Sequence, residues 1–173
     1  SEEEAKRIYN DILRAFPKNK KALEGVKVLR GRAHLKGGVI QDPSESQLNT
    51  LVNLCIQGQF KKSKDQALQL QSNFPNSTLL YNIIGSANQG LGELSEAIKA
   101  YRKAISINPN FAEAYHNMGN TLLEQNKPIE AISSFKSAVS IKPNYAEAYN
   151  NMGVSLQEIG KLNEAVNAYE KAI

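Results

Sequence analysis

The side chains that could do chemistry in this chain are few. Its two histidines, His34 and His116, stand far apart and form no pair at metal-ligand spacing, and its one cysteine, Cys55, lies in the apolar helical pattern LVNLCIQG. A lone cysteine on such a stripe cannot close an internal disulfide and packs as a small hydrophobe. No nucleophile has an identifiable histidine and acid beside it, and the chain holds no glycine-rich phosphate loop and no cofactor motif. The sequence therefore assigns no catalytic residue, no metal ligand and no cofactor. His116, alone among polar residues, reads as an ordinary surface side chain. What recurs is asparagine, at Asn49, Asn82, Asn117, Asn120, Asn150 and Asn151. A side-chain amide carries both a donor and an acceptor.

The elements that position these amides follow from an internal repeat. The stretch AEAYHNMGNTLLEQNKPIEAISSFKSAVSIKPNY, residues 112–145, is followed at once by a near copy beginning at Ala146. Pro75, Pro109 and Pro143 fix the period at 34 residues. Each copy reads as two helices and a tight turn, for example Glu113 to Gln125 and Ile129 to Ile141 around Asn126-Lys127-Pro128, with Pro128 suited to the first turn of the second helix. Gly85, Gly119 and Gly153 on first helices, with Ala97, Ala131 and Ala165 on second helices, mark close backbone approach. Tyr81, Tyr115 and Tyr149, then Tyr101, Phe135 and Tyr169, form an aromatic stripe that reads as core. Neither helix can bury its apolar face alone, so each module needs its neighbours.

These residues resemble the tetratricopeptide repeat family, whose pattern of aromatic, hydrophobic-Gly, Ala, aromatic, Ala and Pro is met by Tyr115, Met118-Gly119, Ala131, Phe135, Ala138 and Pro143. The match recurs at Tyr81, Ile84-Gly85, Ala97, Tyr101, Ala104 and Pro109, and at Tyr149, Met152-Gly153, Ala165, Tyr169 and Ala172. The resemblance implies an all-α right-handed superhelix, a solenoid of helix-turn-helix repeats whose first helices line a concave groove for a peptide or protein segment. It implies groove positions at Asn49, Asn82, His116, Asn117, Asn120, Asn150 and Asn151. A ladder of amides there could bind the backbone of an extended peptide whatever its sequence. Asn49, Asn117 and Asn151 stand in a column similar to the asparagine ladder of O-linked N-acetylglucosamine transferases, interrupted here by Ile83. Simple solvation of these amides is the competing reading. The family's other mode, a grip on a terminal carboxylate, lacks support. Leu48, Asn82, His116 and Asn150 stand where its lysine is needed, and no arginine follows.

Toward the amino terminus the modules decay. Residues 1–43 read as degenerate half-repeats, with helices over about 1–16 and 20–35 and a linker. Glu4-Ala5, Tyr9 and Pro17 take the places of Glu130-Ala131, Phe135 and Pro143, so the chain is expected to begin partway through a module, as an excerpt would. Residues 44–77 form a degenerate repeat, in which Leu51 replaces the glycine and is expected to widen or tilt the helix crossing. Residues 78–111 and 112–145 are full repeats, and 146–173 a truncated one.

A hydrophobic fraction of 41% and a charged fraction of 22% are ordinary for a soluble protein. No apolar run of 18 residues or more could span a bilayer, and the start SEEEAKRIYN lacks the features of a signal peptide. A cytoplasmic location is the expectation. The net charge of +4 gathers over Lys18, Lys20, Lys21, Lys27, Arg30, Arg32 and Lys36, without the aromatic interleaving of a nucleic-acid surface. Nucleic acid and membrane are not expected partners. The leading reading is a non-catalytic scaffold that binds peptide or protein in its groove. Two others stand beside it: a homo-oligomer stacking through uncapped solenoid ends, and the targeting domain of a larger glycosyltransferase-like or sulfotransferase-like enzyme.

Overall fold

A computed structural model describes residues 42–173, and the expectations for helices 1–16 and 20–35, the following linker and the basic run all lie outside the described residues. The described residues form four helix pairs and no strand: α1 Glu45–Ile56 and α2 Phe60–Gln71, α3 Thr78–Gly90 and α4 Leu94–Ile107, α5 Ala112–Glu124 and α6 Pro128–Ile141, α7 Ala146–Glu158 and α8 Leu162–Glu170. The fold is an all-α helical-repeat solenoid.

Local chemistry sets the helix ends. Ser44 and Gln47 form a reciprocal capping box at α1, and the Ser77 hydroxyl accepts from the Leu80 amide at 3.2 Å at α3. Pro128 opens α6 as its spacing predicts. The turn inside each pair needs one residue at positive φ. Gly58, Gly92 and Gly160 supply it at 72°, 74° and 77°, and Asn126 takes the same place at 58°.

Within each pair the glycine of the first helix faces an aromatic ring rather than bare backbone. A Cβ on Gly85 would lie 2.4 Å from Tyr101 Cε1, one on Gly119 2.5 Å from Phe135 Cε1, and one on Gly153 2.6 Å from Tyr169 Cε1. The glycines thus make room for a ring, which refines the expectation of close backbone approach. Tyr101 and Phe135 are fully buried, whereas Tyr81, Tyr115 and Tyr149 are only half-buried, so the second-helix rings carry more of the core than the first-helix ones. In the first pair the sizes are exchanged. Leu51 fills the glycine's place, and Ala67 stands where the later pairs have a ring; both are buried in one cluster. The bulk comes from the first helix instead of the second, and that exchange answers the expected widening.

Successive first helices touch: α1 meets α3, α3 meets α5, and α5 meets α7, while successive second helices make at most marginal contact with one another. A stack that is closer along one layer must curve toward it. The first helices therefore line the inner face and the second helices the outer one.

Candidate functional site

The inner face carries polar rungs between neighbouring first helices. Asn117 Nδ2 on α5 donates to Asn82 Oδ1 on α3 at 3.1 Å. One repeat on, Asn151 Nδ2 on α7 lies 2.8 Å from Asn120 Oδ1 and 3.2 Å from His116 Nε2, both on α5. Asn120 Nδ2 lies 3.5 Å from the same ring nitrogen. Asn82–Asn117 and His116–Asn151 are 35 residues apart, one more than the repeat period, because each inner helix meets its neighbour one position further along, and Asn120, one turn on from His116, reaches the same Asn151. Leu48 and Ile83 occupy the corresponding places between α1 and α3 and belong to an apolar cluster. Ile83 therefore does not break a continuous column of amides: the first rung is apolar and the next two are polar.

Buried hydroxyls stiffen these rungs from behind. Thr121 Oγ1 donates to the Asn117 carbonyl at 2.9 Å and Ser155 Oγ to the Asn151 carbonyl at 2.7 Å. Asn49 is half-buried on α1, apart from the polar rungs, and Asn150 is exposed beside Asn151.

His116 overturns its sequence reading as a surface side chain, since it is 6% exposed. Its ring packs against Tyr145 at 4.9 Å and Phe135 at 5.8 Å between centroids. The cause is two rings that close over it, Phe135 from the paired helix α6 and Tyr145 from the α6–α7 connection. Burial lowers its pKa to about 4, reinforced by the positive charge of Lys142. The neutral ring accepts at Nε2 from the two amides, which places its proton on Nδ1, a buried atom without a hydrogen-bond partner.

Beside it lies a charged pair that the sequence reading did not single out. Lys142 Nζ meets Glu113 Oε1 at 3.2 Å, with side chains 13% and 8% exposed, and sits 4.5 Å above the Tyr145 ring. Tyr145 is 1% exposed, and burial, then the charges of Glu113 and Glu147, push its phenol well above the usual range. The available signal was Phe111, one period before Tyr145 and likewise buried.

Residues 110–173 match the family model described as tetratricopeptide repeat, and residues 90–126 match one described as TPR repeat. Residues 90–173 carry tetratricopeptide repeats. Among solved structures, a crystal structure of MamA is similar to this tetratricopeptide-repeat chain with a TM-score of 0.69 and 25% identity, over 94% of this chain and 91% of that one. A second MamA structure is similar with a TM-score of 0.67 and 25% identity, over 98% and 90%. The first TPR of Spaghetti (RPAP3), solved bound to the HSP90 peptide SRMEEVD, is similar with a TM-score of 0.64 and 20% identity, over 71% and 99%, a likeness of fold. No curated protein sequence matches the chain.

In this tetratricopeptide-repeat chain no group of His, Cys, Asp and Glu that could hold a metal ion occurs among the described residues, and none of their helices is long and apolar enough to cross a membrane. Cys55 is half-buried, its Sγ 3.2 Å from Ser63 Oγ, and burial raises its thiol pKa. A protonated thiol is a poor nucleophile.

Proposed function

We propose that the chain is a non-catalytic scaffold that holds an extended peptide or protein segment along its inner face. The observation that carries this reading is the pair of polar rungs, Asn82–Asn117 and His116–Asn120–Asn151, set side by side on one surface. Amides can exchange their mutual hydrogen bonds for bonds to a peptide backbone at small cost, because donors and acceptors are matched in number either way. Asn49, Asn82, His116, Asn117, Asn120, Asn150 and Asn151 are the proposed contact positions, with His116 acting through its Nε2 edge. That RPAP3, a protein of similar fold, is solved with the peptide SRMEEVD supports the reading. An array of unstructured octapeptides of varied composition, probed with the labelled chain, tests it. Retention of extended peptides by the parent and its loss in N117A/N151A is expected. An array that retains nothing contradicts the proposal.

A further inference from the structure

Charge is sorted between the two layers of the stack. The first helices α1, α3, α5 and α7 contain Glu45, Glu113, Glu124, Glu147 and Glu158 and not one Lys or Arg, whereas every Lys and Arg among the described residues lies on a second helix, in a connection or, as Lys171, at the end of α8. His116 adds no positive charge at neutral pH, with its pKa near 4. The acids are placed by the repeat. Glu45, Glu113 and Glu147 share one register near the helix starts, and Glu124 and Glu158 share another at the helix ends, so carboxylates border the amide rungs on both sides. Glu124 and Glu158 are exposed, and Gln89 Nε2 on the neighbouring first helix holds Glu124 at 2.5 Å.

A first helix already holds an ammonium group through its carboxylate. Lys142 reaches in from the α6–α7 connection and is held between the Glu113 carboxylate and the Tyr145 ring. Lys171 Nζ likewise lies 5.9 Å from the centroid of the Tyr149 ring. Carboxylate and aromatic face together form a site for a cation.

We infer that the inner face selects an extended segment bearing Lys or Arg and rejects an acidic one; this rests on the peptide-binding reading above. The amide rungs are indifferent to side-chain charge, because they address the backbone. The bordering carboxylates are not. An acidic peptide laid along the rungs would bring its carboxylates against Glu124 and Glu158 with no cation on the first helices to meet them, while a basic one gains an ion pair at each of these two. This preference opposes the chain's net charge of +4, which by itself would favour an acidic ligand.

Three amidated probe peptides of one shape test it: SRMEEVD, SRMQQVN and SRMKKVK, which share one Arg and differ in charge only at three positions. Binding to the whole chain is read at the side-chain amide NMR signals of Asn117, Asn120 and Asn151, which report the inner face and not the basic run near the amino terminus. The expected result is a dissociation constant for SRMKKVK roughly three- to tenfold below that for SRMEEVD, the ratio that two exposed ion pairs can supply. The gap should close in 0.5 M salt and in E124Q/E158Q, with SRMQQVN binding the parent between the other two. Equal or tighter binding of SRMEEVD, or a gap that survives E124Q/E158Q, overturns the charge selection alone. Amide signals that move with none of the three peptides overturn the peptide-binding reading and this inference with it.

Discussion

The side-chain amide of Asn151 on α7 meets the ring nitrogen Nε2 of His116 on α5 at 3.2 Å, so the last polar rung depends on an uncharged imidazole. Only the neutral ring offers an acceptor to an amide donor. Burial between Tyr145 and Phe135 keeps it neutral, with a pKa near 4 against an ordinary 6.5.

A stability that depends on pH follows. Because the folded state depresses this pKa, the unfolded chain binds the proton more readily. The contribution is complete above about pH 6.5 and is lost as pH falls toward 4, about 3 kcal/mol in all. Urea midpoints of the parent and of H116Q, which keeps an acceptor without a titrating ring, should draw together or cross between pH 7.5 and pH 4.5. Parallel profiles for the two proteins would contradict the assignment.

Asn88 is 3% exposed at a register where Leu54, Leu122 and Leu156 stand in the other repeats, and its Oδ1 is buried without a partner. Replacing it by leucine removes an unmet acceptor and restores an apolar contact of similar volume. Asn88→Leu should stabilise the fold by about 1 to 2 kcal/mol. A lowered denaturation midpoint would show that the amide has a role the structure does not reveal.

The inner turn of the third pair gives a smaller effect. Asn126 holds φ at 58° where the other turns use glycine. Asn126→Gly should raise stability by roughly 0.5 to 1 kcal/mol and Asn126→Ala should lower it by a similar amount, both read from thermal melts.

Size exchange across the helix pair can be tested by a double-mutant cycle. Gly119→Leu alone drives a side chain into the Phe135 ring and should cost about 1 to 3 kcal/mol, and Phe135→Ala alone about 3 to 5 kcal/mol. Together they recreate the Leu51 and Ala67 arrangement of the first pair. The double variant should therefore be more stable than the sum of its parts by at least about 1 kcal/mol, and strict additivity would refute the exchange.

Periodicity made the stack legible. The prolines, the small residues and the rings of Tyr101 and Phe135 declared the helix pairs, because each repeats at a fixed spacing and each has a steric reason to. The site was legible only in part. Asn117, Asn120 and Asn151 could be named, but their mutual bonds depend on a one-residue offset between neighbouring inner helices that a 34-residue period does not contain. His116 was misread because its burial comes from Phe135 on the paired helix and Tyr145 in the next connection, which close over it only once the helices pack. The Glu113–Lys142 pair was missed for the same reason: its partners are brought together by packing, 29 residues apart.

Calorimetry of the tightest-binding array peptide against the parent and N117A/N151A tests the central claim most directly, since these two amides anchor both polar rungs and melting curves can confirm that the variant stays folded. A dissociation constant raised by about tenfold or more is expected, as loss of two backbone-directed hydrogen bonds requires. An unchanged constant in a folded variant would contradict it.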